Sequence, residues 1–417
     1  MILRASKKIA ENDGHHPSPG RLRRLYPYAE QHETMLRTIA AHSEVIELPA
    51  GPWQPRPEPE HCLFLDKGRL QLARPGQPPF YLDADQPAAA FPLPLDDTGW
   101  KALIPCRLLR VPTRYLELSR GASSRTETGI ELTEDDAEAD LYLECRDELK
   151  QGRFELPAMP ELAVRIGKAL DDPNTVNADI ARLIQLDPAL NARVMRVVNS
   201  AACAGRGRIG SLQQAVARLG RQQVRNLVFS CIIKDLFRTD SPVNLKSRIQ
   251  ALWRHSCRVA AISTILARLT PGLDPERALL AGLVHDIGAI PLLHAARNLP
   301  ALQKAPGLLD HLIDDLKGEV GQLTLEHWHF DHELARVARH AEDWQRLGTA
   351  IPDYLDVVLL AQLHAAVGQG TGSRLPRIDQ IPAFRRLALG RLTPRHSIAV
   401  LDEAKREIAE IEDLLHH

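Results

Sequence analysis

The sequence predicts an α+β multidomain protein, with an N-terminal antiparallel β-roll and flanking helices followed by an all-α domain. Three observations predict it. The chain has 417 residues, and at roughly 100–200 residues per domain that length suits two or three. Proline is dense between Pro49 and Pro94, where short runs such as HCLFLDKGRLQLARPG alternate with Gly, Pro and Asp. That is the punctuation of short strands joined by tight turns. From Phe154 onward apolar residues recur with helical spacing.

The elements follow in order. Leu25, Tyr28, Met35 and Ile39 sit among acids and bases, which predicts one or two short helices ahead of the strands. GASSRTETG (121–129) and the acid-rich stretch after it read as a linker running into a solvated helix. Further on, Ile180, Leu183 and Ile184 share one face, and Leu190, Val194, Val197 and Val198 continue an apolar stripe. Between them, Asp187-Pro188 puts a proline where it is best tolerated, at the start of a helix. Helices are expected at 211–237, 245–269, 276–295, 309–328, 331–347, 353–366 and 396–415, with glycine or proline near most joints. The expected domains are 1–120, a linker and connecting helix at 121–149, a helical domain at 150–366, and an extension with a terminal helix at 367–417.

Composition names no partner. A hydrophobic fraction of 44%, a charged fraction of 25% and a formal net charge of -1 are those of an ordinary folded protein. The six cysteines lack any CxxC pair, so buried thiols are expected rather than disulfides or a structural zinc site. No apolar run is read as reaching the ~20 residues that cross a bilayer, and the N-terminus lacks the apolar core of a secretory signal, so a cytoplasmic location is expected.

Six segments now stand in a telling order: LPAMPEL (156–162), Asp187-Pro188 followed by RVVNSAA, IGSLQQAVARLG (209–220), LWRHSCRVA (252–260), GLVHDIGAI (282–290) and EHW near Trp328. Together they resemble the HDOD family, a helical output domain of bacterial signalling proteins related to the HD phosphohydrolases. The resemblance implies a regulatory module, often fused to a sensory domain. CLFLDKGRLQLARPG and FYLDADQPAAAFPLP resemble, more faintly, a cyclic-nucleotide-binding domain. Such a domain holds its ligand with a glutamate on the ribose and an arginine on the phosphate, and AAFPLPLDDTGW offers neither. A degenerate sensory or dimerising β-roll is therefore expected.

The HD relationship implies a metal site. In that superfamily a histidine, a later His-Asp pair and a still later aspartate gather one or two divalent cations, which lower the pKa of a bound water. His285 and Asp286 match the pair, and His255 matches the first histidine. Gln362 stands where the terminal aspartate is expected, leaving Asp356 or His340 to complete the shell. His327, His329 and His332 cluster nearby in sequence and are read as surface residues. Against the metal stands a plainer alternative, in which Asp286 accepts from backbone amides at a helix end and His285 is a hydrogen-bonded core residue. Trp253 and Trp328 are expected as core anchors.

Three functions follow as expectations. The first is a cytoplasmic signalling regulator that contacts other signalling proteins, itself or in a homo-oligomer, without catalysis and without a required cofactor. The second is a metal-dependent phosphohydrolase or phosphodiesterase acting on a nucleotide or cyclic dinucleotide, with a divalent transition metal on His255, His285 and Asp286. The third is nucleic-acid or cyclic-dinucleotide binding through Arg206, Arg208, Arg221 and Arg225, where GRGRIG precedes a helix with Arg218, Arg221 and Arg225 on one face. No aromatic residue interleaves with these arginines, which disfavours single-stranded nucleic acid.

Overall fold

A computed structural model describes residues 16–29, 31–55, 58–73, 79–94, 99–116, 156, 159–199, 209–237, 243–297, 306–367, 375–387, 398–399, 401–402 and 405–416. The expected linker at 121–149, Arg206 and Arg208 lie outside the described residues. Two compact units form, the first from residues 1–129 with Gln345–Pro352 and Arg385–Arg391, the second from the remainder.

In the first unit, helices α1 (Pro19–Leu22) and α2 (Glu33–Ala41) precede the strands. Leu22, Leu36 and Ile39 are buried, whereas Met35, read as part of the same stripe, faces outward. The strands are β1 (Glu44–Leu48), β2 (Gly51–Trp53), β3 (His61–Lys67), β4 (Arg69–Leu72), β5 (Phe80–Asp83), β6 (Trp100–Ala102) and β7 (Cys106–Pro112). They pair antiparallel in two sheets, β1-β7-β3 and β2-β6-β4-β5. The expected Lys-Gly turn joins β3 to β4 at Gly68, whose φ of +105° favours glycine and whose Cβ would stand 2.5 Å from Cys106 Sγ. Phe64, Leu70, Leu82, Phe91, Trp100 and Leu109 fill the core.

Leu347 and Ala350 are buried in that same core, although the sequence placed them in the helical domain. The Ala350 amide donates to the Pro92 carbonyl at 2.8 Å. The buried guanidinium of Arg386 donates to the carbonyls of Arg346 and Leu347 and lies 4.8 Å from the centre of the Phe91 ring. Phe91 in turn stacks on Tyr26 at 5.0 Å.

The second unit is helical: α3 (Glu161–Asp171), α4 (Asn177–Gln185), α5 (Pro188–Val198), α6 (Leu212–Leu219), α7 (Arg221–Leu236), α8 (Val243–Leu269), α9 (Pro275–Val284), α10 (Ala289–Ala296), α11 (Pro306–His327), α12 (His332–His340), α13 (Tyr354–Ala366) and α14 (Lys405–His416). Pro188 opens α5 as expected, and the Asp187 carboxylate accepts the amides of Ala189 and Leu190 at 2.8 and 3.0 Å. Three expected helices differ. The one at 211–237 breaks at Gly220, where φ is +82°. The one at 276–295 breaks at residues 285–288, and the one at 331–347 stops at His340. Trp253 and Trp328 are buried, as expected of anchors.

Helix α13 is apolar on nearly all sides and runs through the interior, as its composition requires, and α7 is buried along its central stretch from Asn226 to Ile233. Pro275–Ala296 is long and apolar enough by composition to cross a membrane, a stretch the sequence reading passed over, and 83% of its apolar window is buried inside the protein. Cys106, Cys231 and Cys257 are buried thiols.

Candidate metal centre

Helix α9 begins on Asp274, whose carboxylate accepts the Glu276 amide at 3.0 Å, with Pro275 in the first turn. Gly282 then lets α9 press against α8, because a Cβ there would stand 2.6 Å from Ala260 Cα. The helix ends at His285. Adjacent residues on a continuous helix point about 100° apart; the turn at 285–288 lets the side chains of His285 and Asp286 converge on His255, which projects from α8.

The three residues the sequence singled out thus meet. His285 Nε2 lies 3.3 Å from His255 Nε2 and 3.2 Å from Asp286 Oδ2, and His255 Nε2 lies 3.9 Å from the same oxygen. A circle through these three atoms has a radius of about 2.0 Å, the length of a zinc–nitrogen bond, so one ion can reach all three donors. His285 Nδ1 donates to the Gly282 carbonyl at 2.7 Å, which leaves the Nε2 lone pair facing Asp286. Such a hydrogen bond on the far nitrogen is how metal-binding histidines are held. Two acceptors at this distance need a proton or a cation between them. The donor set fits a divalent transition metal.

Burial and exposure suit that use. His285 and Asp286 are buried, while 39% of the His255 side chain is exposed, so the cluster opens on one side. Desolvation, then the neighbouring His285, pushes the His255 pKa down to about 4, leaving its ring neutral near pH 7. Burial raises the Asp286 pKa, but His285 and Lys317 outweigh it and hold the carboxyl well below its ordinary value.

Lys317 is the residue that sequence reasoning missed. Its Nζ, on α11, lies 3.2 Å from Asp286 Oδ1 and 2.5 Å from Glu342 Oε1. Desolvation lowers its pKa, yet the two carboxylates raise it overall, so the ammonium stays charged. Gly288 explains its position: a Cβ there would overlap the Lys317 carbonyl and the Gly321 amide. The glycine of the HDIG stretch is what admits the α11 backbone beside the site.

The remaining candidates stand elsewhere. Asp356 is buried at the start of α13, where its carboxylate accepts the Asp353 amide at 3.2 Å in a capping box. His340 is exposed at the end of α12, and His327, His329 and His332 are exposed as well. His329 adopts a positive φ of 57° in the turn between α11 and α12, so it does not share a helical face with His332. Gln362 is buried and donates to the Ala341 carbonyl at 2.7 Å. Among the described residues, the cluster that can hold a metal contains His255, His285 and Asp286 alone. Arg221 donates to the carbonyls of Asp172 and Thr175, and the guanidinium of Arg225 lies 5.4 Å from the centre of the Phe229 ring.

The helical order, the HDIG turn and the His-Asp cluster agree with what comparison finds: the sequence model of the HDOD domain matches residues 156–344. This segment is an HDOD domain. A protein from Shewanella amazonensis SB2B, provisionally named a metal-dependent phosphohydrolase, is similar in structure, with a TM-score of 0.57 and 26% identity over 67% of this chain and 99% of that one. An HDOD domain protein with unknown function from Geobacter sulfurreducens has a TM-score of 0.49 and 24% identity over 66% of this chain and 98% of its own. An uncharacterised protein from Treponema pallidum (strain Nichols) is 24% identical over 204 residues, which are 44% of this chain and 37% of that protein. The match to that relative thus spans well under half of its length. Within the HDOD domain, the turn at 285–288 and helices α8 and α9 position the candidate ligands His255, His285 and Asp286, whereas Asp356 lies beyond the matched segment.

Proposed function

We propose that the chain is a bacterial signal-transduction regulator whose HDOD domain works through protein–protein contacts, and that His255, His285 and Asp286 hold a single divalent metal ion that clamps α8 to the turn after α9. The observation that carries this is the placement of Lys317 at 3.2 Å from Asp286 Oδ1. Hydrolysis of a phosphodiester asks for an activated water, further positive charge on the phosphate and a proton relay. Here a fixed ammonium already neutralises half of the carboxylate, and Gln362, at the place expected for a further aspartate, is turned to a backbone carbonyl. The metal, when bound, supplies Lewis acidity. The chain's own residues supply a neutral imidazole at His255, an oriented one at His285 and a fixed carboxylate at Asp286.

The N-terminal unit is proposed as the sensory or dimerising part. Where a phosphate cassette would lie, Ala88, Ala89, Phe91 and Leu93 are buried in the core, which supports a β-roll without a cyclic nucleotide. Partners are then other signalling proteins or a second copy of the chain.

The test is hydrolysis of bis(p-nitrophenyl) phosphate and of cyclic dinucleotides by the full chain with Mn²⁺ or Zn²⁺. No turnover above buffer is expected. Turnover abolished by His285→Ala would establish instead the metal-dependent phosphohydrolase, the second reading, which the three-ligand cluster and the likeness to the Shewanella protein favour.

A further inference from the structure

The second oxygen of Asp286 and the carboxylate of Glu342 converge on one point, and the ammonium of Lys317 occupies it, 3.2 Å from the first and 2.5 Å from the second. Two carboxylate oxygens facing a common point on the far side of a bridging aspartate form the half-shell of a second cation. In two-metal sites the ions stand about 3.5–4 Å apart, with a carboxylate able to bridge them. Asp286 has this disposition, with Oδ2 toward the two histidines and Oδ1 toward Lys317. Oδ1 is buried and accepts no hydrogen bond among the described residues, and the Lys317 ammonium meets it at ion-pair distance alone.

Lys317 is not a surface lysine that happens to fall here. Its side chain is 15% exposed. Its backbone is locked on both sides, since a Cβ on Gly288 would overlap its carbonyl, one on Gly318 would stand 2.7 Å from the Arg339 carbonyl, and one on Gly321 would stand 3.1 Å from Ala338 Cβ. Helix α11 is thereby wedged between the turn at 285–288 and α12, with little freedom to withdraw the ammonium.

We propose that Lys317 is a built-in cation that takes the place of a second metal ion and so limits the centre to one. The inference rests on the proposal above that His255, His285 and Asp286 hold an ion, and it adds what sets their number. A fixed ammonium provides charge but no open coordination position, so it neutralises Asp286 without offering a place where water or a phosphate oxygen can bind. Its removal frees Asp286 Oδ1 and Glu342 together.

The experiment is equilibrium dialysis of the full chain against Mn²⁺, with bound metal counted by elemental mass spectrometry. Wild type is expected to saturate at one equivalent, Lys317→Arg at one, and Lys317→Gln at two. Lys317→Ser is carried in parallel as a smaller replacement, with far-ultraviolet circular dichroism to show that each variant is folded, and is expected to match Lys317→Gln. Two equivalents in wild type would overturn the inference. So would one equivalent in a folded Lys317→Gln or Lys317→Ser, which would leave the single-ion site intact and dismiss Lys317 alone. No equivalent in wild type would overturn both the ion site and the role given to Lys317.

Discussion

The ammonium of Lys317 and the carboxylate of Asp286 stand 3.2 Å apart across two helical segments whose backbones touch at Gly288. The ion pair and the glycine are one device. The close approach of α11 to the turn at 285–288 brings the lysine within reach, and the absent side chain of Gly288 permits that approach.

Gly288→Ala is therefore expected to destabilise the second unit by roughly 1–3 kcal/mol, the range for overpacking a well-filled interior. Gly307→Ala serves as the contrast, because nothing lies within 4 Å of a Cβ there. Urea unfolding monitored at Trp253 and Trp328 reads both. Equal stability in the two variants would remove the glycine from this account.

The buried His364 on α13 gives a pH dependence. Burial pushes its pKa down to about 4, against an ordinary value near 6.5. The folded chain then refuses a proton that the unfolded chain accepts. The stability this group contributes is full above about pH 6.5 and is lost as pH falls toward 4, by up to roughly 3 kcal/mol. His364→Leu should flatten the urea midpoint between pH 6.5 and 4.5. An unchanged slope would contradict it.

Arg221 separates structure from binding. Its guanidinium is held by the carbonyls of Asp172 and Thr175, just after α3. Arg221→Gln is expected to cost about 1–2 kcal/mol of stability, as the loss of charged hydrogen bonds does. Binding to nucleic acid that falls with salt and weakens in this variant, with stability unchanged, would restore the arginine patch as an interface.

Much of this was legible in the sequence where one local rule decides. Asp187-Pro188 marked the start of α5, Lys67-Gly68 marked a strand turn, and the order of motifs located the HDOD domain with His255 and His285-Asp286 inside it. The break at 285–288 was legible only in the alternative that put a helix end at His285-Asp286, because GLVHDIGAI is apolar enough to continue a helix and only packing against α11 shows why it turns. Lys317 was not legible either. Nothing in DDLKGEVG distinguishes a buried counter-ion from a solvated lysine, since its partners lie 31 and 25 residues away in sequence. The same holds for Leu347, Ala350 and Arg386, whose partners belong to the β-roll and share no local pattern with it.

The central claim is that His255, His285 and Asp286 form a single-ion centre. The most direct measurement is the metal content of the full chain, purified without a histidine tag or chelator, by elemental mass spectrometry on wild type and His285→Ala. The expected result is about one equivalent of a transition metal in wild type and its loss in the variant. No metal in wild type, or the same content in His285→Ala, would contradict it.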